Sequence, residues 1–307
     1  MKKYLYIALA AAALTSCSSD ETLDVVQDEA IQFGNAFVEN ATRATDPTYG
    51  TVSLEKFNVY GTVTGTAGTV NIFNGDDVTG TVGNNVWNCD KKQYWIAGAN
   101  YSFAAVVDGK ESPNSTAVDA NGMPTSITYA TSSQKDLLYA TATATGLATG
   151  NGKVNFTFNH LLAKAMFTVK SNTEDGYKYN VTNIKVNNFE TGTYTVAGGG
   201  SWAGSTATDI EFGKIEGVTA ADANGKTCET QKLLIPTTSD FTVSFTVDLY
   251  LNDTKLGTQN YTKTVTQDLV KGNSYNFNLD LKVGELIEFT VTDNPTWAND
   301  TDVTIGL

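Results

Sequence analysis

The chain has 307 residues, with 33 acidic side chains against 20 basic ones and a formal net charge of −13. A hydrophobic share of 41% is ample for packed cores, and at roughly 100–200 residues per domain the length points to two domains. The single histidine, His160, cannot supply a site built on several imidazoles, and the acidic balance removes the electrostatic basis for holding a nucleic-acid backbone. Abundant Thr, Val, Ile, Tyr and Phe favour strands over helices.

Residues 1–16 read as a signal peptide: Lys2 and Lys3 form a positive start, and the apolar run from Tyr4 to Leu14 is too short for a mature transmembrane helix. Leu14-Thr15-Ser16-Cys17 resembles a bacterial lipobox, in which the signal is cut before the Cys and lipid is attached to its thiol. The other reading is an ordinary secretory signal with Cys17 incidental. Residues 17–30 form a tether, and Ser18-Ser19-Asp20-Glu21 resembles the surface-export signal of Bacteroides-type lipoproteins, or is simply a solvated acidic stretch. The expected location is the outer surface of the outer membrane. Of the other two cysteines, Cys89 and Cys228, neither sits in a CxxC spacing; both are expected as free thiols in different domains.

Beyond the tether, period-two alternation recurs and no capped helical period appears. The first case places Ile31, Phe33 and Phe37 on one face. Residues 52–63 follow, carrying Leu54 and then Phe57, Val59, Gly61 and Val63 after a register change. Next come 101–107 and 137–142, then 154–158, 165–169, 177–186, 241–251, 274–281 and 286–291. Between them Asn74-Gly75-Asp76-Asp77, Asp108-Gly109, Asn121-Gly122, Asn151-Gly152, Gly198-Gly199-Gly200 and Asn224-Gly225 read as turns. Short alternating strands at this spacing predict an all-β fold of antiparallel sheets with one wet face. The small-residue run 145–152 marks the domain break, giving an N-terminal β-sandwich over 31–149 and a C-terminal one over 150–307.

The search for chemistry is mostly negative. His160, at the end of a strand pattern among apolar neighbours, reads as a structural histidine. Asp76 and Asp77 read as a solvated loop, and the four Trp residues serve either as sugar-stacking platforms or as packing. No nucleotide-binding loop, nucleophile elbow or zinc-protease motif is present, and the Asp-rich turns lack the further ligands of a calcium loop. The chain is expected to be no enzyme, with no catalytic residue, cofactor or metal ligand set.

An ordered set of motifs carries a resemblance over nearly the whole chain. Lys135-Asp136-Leu137-Leu138-Tyr139-Ala140, Val154-Asn155-Phe156-Thr157-Phe158-Asn159-His160-Leu161-Leu162, Leu233-Leu234-Ile235-Pro236 and Tyr275-Asn276-Phe277-Asn278-Leu279, with Trp297 near the end, are similar to those of the Bacteroides-type fimbrillin family. The resemblance implies two tandem transthyretin-like β-sandwich domains with Greek-key sheets and a role as a subunit of an adhesive surface fimbria, or pilus. It also implies that an arginine-specific protease cuts between Arg43 and Ala44, releasing a removable first strand over 31–43 that carries Ile31, Phe33 and Phe37. The vacated groove would accept an extended donor strand from another subunit. The candidate donor is the C-terminal segment with Val303, Ile305 and Leu307, whose alternation equally suits the last strand of its own domain. Arg43 itself reads as a protease target in a small-polar linker or as an ordinary surface residue. Expected partners are other subunits, outer-membrane lipid through Cys17, the protease, and a host or bacterial receptor. The alternative function is a surface lipoprotein that binds glycan or protein without polymerising.

Overall fold

A computed structural model describes residues 30–38, 54–80, 87–147, 152–172, 175–282 and 288–294. In chain order the strands are β1 (Phe33–Val38), β2 (Lys56–Gly65), β3 (Gly68–Gly80), β4 (Trp87–Cys89), β5 (Asn100–Val107), β6 (Ser115–Val118), β7 (Pro124–Ala130), β8 (Leu138–Thr145) and β9 (Val154–His160). They continue with β10 (Ala163–Ser171), β11 (Tyr177–Thr195), β12 (Ser201–Val218), β13 (Lys226–Thr227), β14 (Lys232–Leu234), β15 (Phe241–Leu251), β16 (Thr254–Val265), β17 (Ser274–Leu281) and β18 (Glu288–Asn294). The all-β expectation holds: the only helical pieces among the described residues are three short 3₁₀ turns.

The strand ladder β1-β4-β3-β2-β5-β8-β9 closes on itself, each neighbour antiparallel except β1 and β9, which run parallel. Behind it lie two further sheets. One has β10 at its centre, with β13 and β14 on one side and β17 then β18 on the other; β10 and β17 are the second parallel pair. The other sheet is organised on the 19-residue β11. The first part of β11 pairs with β15, its last residues pair with β7, and β12 follows its opposite edge. A hairpin from before the 145–152 run, β6–β7, therefore extends a sheet built mainly from residues after it.

Three apolar clusters hold these layers. Phe33, Phe57, Phe73, Trp95, Phe103, Phe156 and Phe158 fill the closed ladder, and Phe167, Ile184, Val186, Phe212, Val243 and Phe277 lie between the other two sheets. A third joins them, taking Tyr60, Val106, Ile127, Tyr129 and Leu137 from one side of the chain and Leu161, Leu162, Tyr194, Leu233 and Ile235 from the other. That junction explains why β2 is buried on both faces: Phe57 and Val59 belong to the barrel interior, while Tyr60 points into the joint.

Two side-chain amides reinforce the joint by imitating a strand. Gln134 donates to the Leu233 carbonyl (3.1 Å) and accepts from its N–H (2.9 Å), and Asn188 does the same for Ile235 at 3.1 and 3.0 Å. The fully buried stretch 233–235 pairs with β10 through Leu233 and Leu234, and the two amides satisfy its remaining backbone groups. Each half also repeats one corner. Tyr101, second residue of β5, accepts the Ile96 N–H at 2.6 Å, and Tyr275, second residue of β17, accepts the Val270 N–H at 2.7 Å. Both lie in a Gly-x-x-Tyr-x-Phe sequence whose glycine, Gly98 or Gly272, has φ of +76°, a conformation that favours glycine.

One segment read as a turn behaves otherwise. Asn74-Gly75-Asp76-Asp77 lies inside β3, where Val59 pairs with Asp76 and Tyr60 with Asn74, leaving Gly75 as the extra residue of a bulge. Its φ of +72° and the Tyr60 hydroxyl 3.0 Å from where a Cβ would stand favour the glycine. Ion pairs of Asp76 with Lys91 (3.3 Å) and Asp77 with Lys56 (3.1 Å) steady the bulge. Gly198, Gly199 and Gly200 do form a turn, all at positive φ.

Candidate strand-exchange site

The first strand owes its place to both its edges and one large side chain. On one edge β1 runs parallel to β9, with Phe33 opposite Val154, Ala36 opposite Phe156, Phe37 opposite Thr157 and Val38 opposite Phe158; a register irregularity separates Phe33 from Ala36. On the other edge it meets the three-residue β4 through one pair, Phe33 with Trp87. Just before the strand, the Ile31 N–H donates to the Gln93 carbonyl at 2.7 Å, and the Gln32 carbonyl accepts from Val154 N–H at 2.8 Å. Alternation sets the faces up to Phe33, and the irregularity then brings Ala36 inward out of that period. Ile31, Phe33 and Ala36 are buried and Gln32 is exposed.

Phe33 is 1% exposed and its ring centroid lies 5.5 to 6.4 Å from those of Phe57, Phe73, Phe103 and Phe156. Three of these contacts are edge-to-face, the arrangement favoured by the ring quadrupole. It is therefore a hub of the barrel core. Next to it Gly34 is buried beneath β9: a Cβ there would stand 2.4 Å from Asn155 Oδ1 and 2.8 Å from Lys153 Cβ, so no side chain fits without displacing both.

The partner strand depends on this arrangement. β9 pairs with β8 only at His160 and Asn159, so among the described residues its segment 154–158 has β1 alone as a strand partner. Taking β1 away would strip that ladder and empty the space around Phe33. An unsatisfied buried backbone group costs about 1–3 kcal/mol, and apolar surface re-exposed to water about 25 cal/mol per Å2.

Sequence reasoning placed Ile31, Phe33 and Phe37 on one face; Ile31 and Phe33 are in the barrel core, but the irregularity after Phe33 brings Ala36 into the core out of step with Phe33, so Phe37, opposite Thr157 in the ladder, falls out of the period that grouped it with them. It missed Gly34 and the outer-face residues Lys153 and Asn155, although the isolated glycine within an alternating strand was a visible signal of close approach. Cys17, Arg43, Ala44, Val303, Ile305 and Leu307 lie outside the described residues. Arg43 is nevertheless the only arginine in the whole sequence.

The other polar candidates are used structurally. His160 ends β9 with Nδ1 2.8 Å from Asp136 Oδ2, both side chains almost fully buried, tying the strand to the segment before β8. A cavity of about 480 Å3 opens beside it, lined by Tyr139, Asn159, Tyr194 and Lys271 among others. Burial pushes the Tyr139 phenol up to about 12, and the Lys271 ammonium sits 3.0 Å from both Tyr194 Oη and the Gly199 carbonyl. Trp87 and Trp95 are buried, and Trp202 Nε1 donates to the Leu161 carbonyl at 2.7 Å, so these three indoles serve packing and not an exposed stacking platform. Trp297 is outside the described residues. Cys89 and Cys228 are free thiols, each raised above its ordinary pKa by burial. Among the described residues no group of three His, Cys, Asp or Glu side chains is placed to hold a metal.

Fold and site together define an all-β protein whose barrel is closed by its own first strand, set between β4 and β9. The chain belongs to the fimbrillin-like family, whose model matches residues 42–295. Residues 1–18 match the prokaryotic membrane lipoprotein lipid attachment site, which includes Cys17. The fold is similar to that of a fimbrial protein from Bacteroides vulgatus (TM-score 0.61, 18% identity, covering 87% of this chain and 98% of that one). A candidate cell adhesion protein from Bacteroides uniformis is also similar (0.52, 20% identity, 87% and 99%), as is one from Bacteroides ovatus (0.53, 18% identity, 87% and 96%). No curated protein matches the sequence.

Proposed function

We propose that this chain is a structural, non-catalytic subunit of an adhesive surface fimbria, assembled by strand exchange after proteolysis. The precursor is lipidated at Cys17 and carried to the outer face of the outer membrane as two domains, 31–149 and 150–307, with β9 and the β6–β7 hairpin each pairing across that boundary. An arginine-specific protease cuts between Arg43 and Ala44; β1, with Ile31, Phe33 and Phe37, leaves; and the C-terminal segment of a neighbouring subunit, with Val303, Ile305 and Leu307, takes its place. The observation that carries this reading is the dependence of residues 154–158, among the described residues, on β1 alone for their ladder, in a barrel whose core is organised on Phe33. Family membership and the lipid attachment match support it, as does the position of the sole arginine after β1.

Physically the cut changes an equilibrium. While covalently attached, β1 competes at the effective concentration of a short tether, which no neighbour can match. Once cut, it can diffuse away and a donor can compete on equal terms. Treating the purified chain with an arginine-specific protease is expected to yield a product starting at Ala44 and a ladder of polymers on unboiled gels. A chain lacking 303–307 is expected to be cut and yet stay monomeric. Ladders that persist without that segment would overturn its role as donor, and surface-sheared material still beginning at Cys17 would overturn the cleavage step.

A further inference from the structure

The two ends of the barrel differ. At one end Val106, paired with Tyr139, and Leu137 pack into the joint with the other sheets. At the opposite, free end β5 begins at Asn100, which pairs with Thr145 at the close of β8 and with Thr64 beside the β2–β3 turn. The chain enters at this free end: Ala30 bridges to Tyr94, and the Ile31 N–H donates to the Gln93 carbonyl. Large apolar side chains are exposed here. Trp95 turns inward against Tyr101 and Phe103, at 4.7 and 6.1 Å between ring centroids, which leaves its neighbours Tyr94 and Ile96 facing out, 50% and 48% exposed. Leu147, 53% exposed, is brought beside them because the Gly98 N–H donates to the Gly146 carbonyl at 2.8 Å and the Ile96 carbonyl lies against the Cβ position of Gly146. These three are half of the six exposed large hydrophobic side chains among the described residues, so the clustering is not scatter. The same end lacks charge. The stretches that build it, 57–75, 93–107 and 137–152, contain no Asp, Glu, Lys or Arg, in a chain with 33 acidic and 20 basic side chains.

We infer that the free end of the barrel docks on the lipid surface that holds Cys17, with Tyr94, Ile96 and Leu147 in the headgroup boundary and the joint and remaining sheets directed away from it. The chain itself names the occupant. The lipid attachment match includes Cys17, and only residues 17–29 separate that residue from Ala30, which bridges to Tyr94. Fully extended, that length reaches at most about 45 Å, so the patch is held near the bilayer at the high local concentration of a short tether, where a few side chains suffice for contact. A tyrosine suits the boundary because its ring is apolar and its hydroxyl wet, while Ile96 and Leu147 supply apolar area. Charge is not the attraction. Asp28 and Glu29 immediately precede the point of entry, and both would be repelled by anionic headgroups, so the contact is apolar and insensitive to salt. The inference rests on lipidation at Cys17, not on strand exchange, and adds to it an orientation of the anchored chain.

The experiment uses the full lipidated chain, uncut, reconstituted on phosphatidylcholine vesicles that carry a nitroxide quencher on their acyl chains. Cys89→Ser and Cys228→Ser leave no free thiol among the described residues, and a fluorophore is placed at Ala97→Cys beside the patch or at Leu256→Cys, equally exposed on β16 of another sheet. Insertion to a depth of about 5–10 Å predicts quenching roughly tenfold stronger at position 97 than at 256, unchanged by added salt. Tyr94→Ser, Ile96→Ser and Leu147→Ser together are expected to bring quenching at 97 down to the level at 256, with flotation on the vesicles and the melting point unaltered, since all three side chains are exposed. Equal, weak quenching at 97 and 256 on floating protein would overturn docking while lipidation stands, and so would strong quenching at 97 that survives the triple substitution. A disulfide between two unlabelled Ala97→Cys chains, formed without quenching of the labelled one, would assign the patch to a second copy and overturn the lipid contact. If the chain does not float with the vesicles, the lipidation reading fails and docking with it.

Discussion

Replacing Phe33 by Ala tests how far the barrel rests on its first strand. Phe33 is 1% exposed and packs within 6.4 Å, centroid to centroid, of four phenylalanine rings, so the truncation leaves a cavity in a well-filled site. Buried Phe→Ala changes cost about 3–5 kcal/mol; four aromatic pairs place this one at the upper end, although pair terms within one cluster do not add. At about 2–4 °C per kcal/mol, a melting point drop of roughly 6–20 °C is expected for the unit containing the barrel. The more telling readout is local. Because among the described residues 154–158 has only β1 as strand partner, loss of 3–5 kcal/mol in holding β1 raises its opening roughly a hundredfold to several thousandfold. Hydrogen exchange followed by mass spectrometry should show amide protection falling in the peptide covering 154–158, with that around Phe277 in the other core changing far less. If the melting point falls but 154–158 stays as protected as before, Phe33 stabilises the barrel without governing that ladder. An unchanged melting point would refute its role in the core altogether.

Other perturbations follow from the same geometry. Tyr101→Phe and Tyr275→Phe each strand a backbone N–H, and each is expected to cost about 1–3 kcal/mol, measured by urea denaturation; additivity of the double variant would show that the two corners act independently. Gln134→Ala and Asn188→Ala leave the backbone of Leu233 or Ile235 without its amide clamp, so each is expected to cost about 2–4 kcal/mol and to split a single calorimetric transition into two. Burial raises the carboxyl pKa of Asp108, opposed by Lys135 at 3.5 Å. A raised folded value means that the native state binds the proton more tightly, so the group adds stability as pH falls toward about 4 and detracts from it at neutral pH. Asp108→Asn, which tolerates the residue's φ of +54°, should therefore gain stability at neutral pH and lose the wild type's low-pH gain, as denaturant midpoints across that range would record.

Strands with a clear apolar face were legible from local pattern. The alternation in 241–251 and 274–281 coincides with β15 and β17, because a strand buried on one side writes its period directly into the sequence. Less visible were β12 and β16, whose Thr- and Gly-rich residues are mostly exposed and are held as strands by their neighbours, β11 and β15. β3 hid for another reason: Asn-Gly-Asp-Asp suits a turn locally, and only pairing with β2 makes it a bulge. Likewise Ile31 and Phe33 could be grouped on one face from sequence, but the register irregularity before Ala36 breaks the period that put Phe37 with them, and Gly34 is tightly confined only because Lys153 and Asn155 arrive from more than a hundred positions away.

The amino-acid sequence by itself determined the class of fold, the lipoprotein-type leader, the lack of a recognisable catalytic motif and the family. Each of these is written in composition, period or short ordered motifs. The tertiary structure decided which strand closes the barrel, that β1 runs parallel to β9, that the β6–β7 hairpin crosses into the second set of sheets, and where Gln134 and Asn188 replace missing strands. Period two tells a strand which face to bury. Which edge it joins is settled by contacts far apart along the chain, and in this protein the edge is where function is proposed to reside.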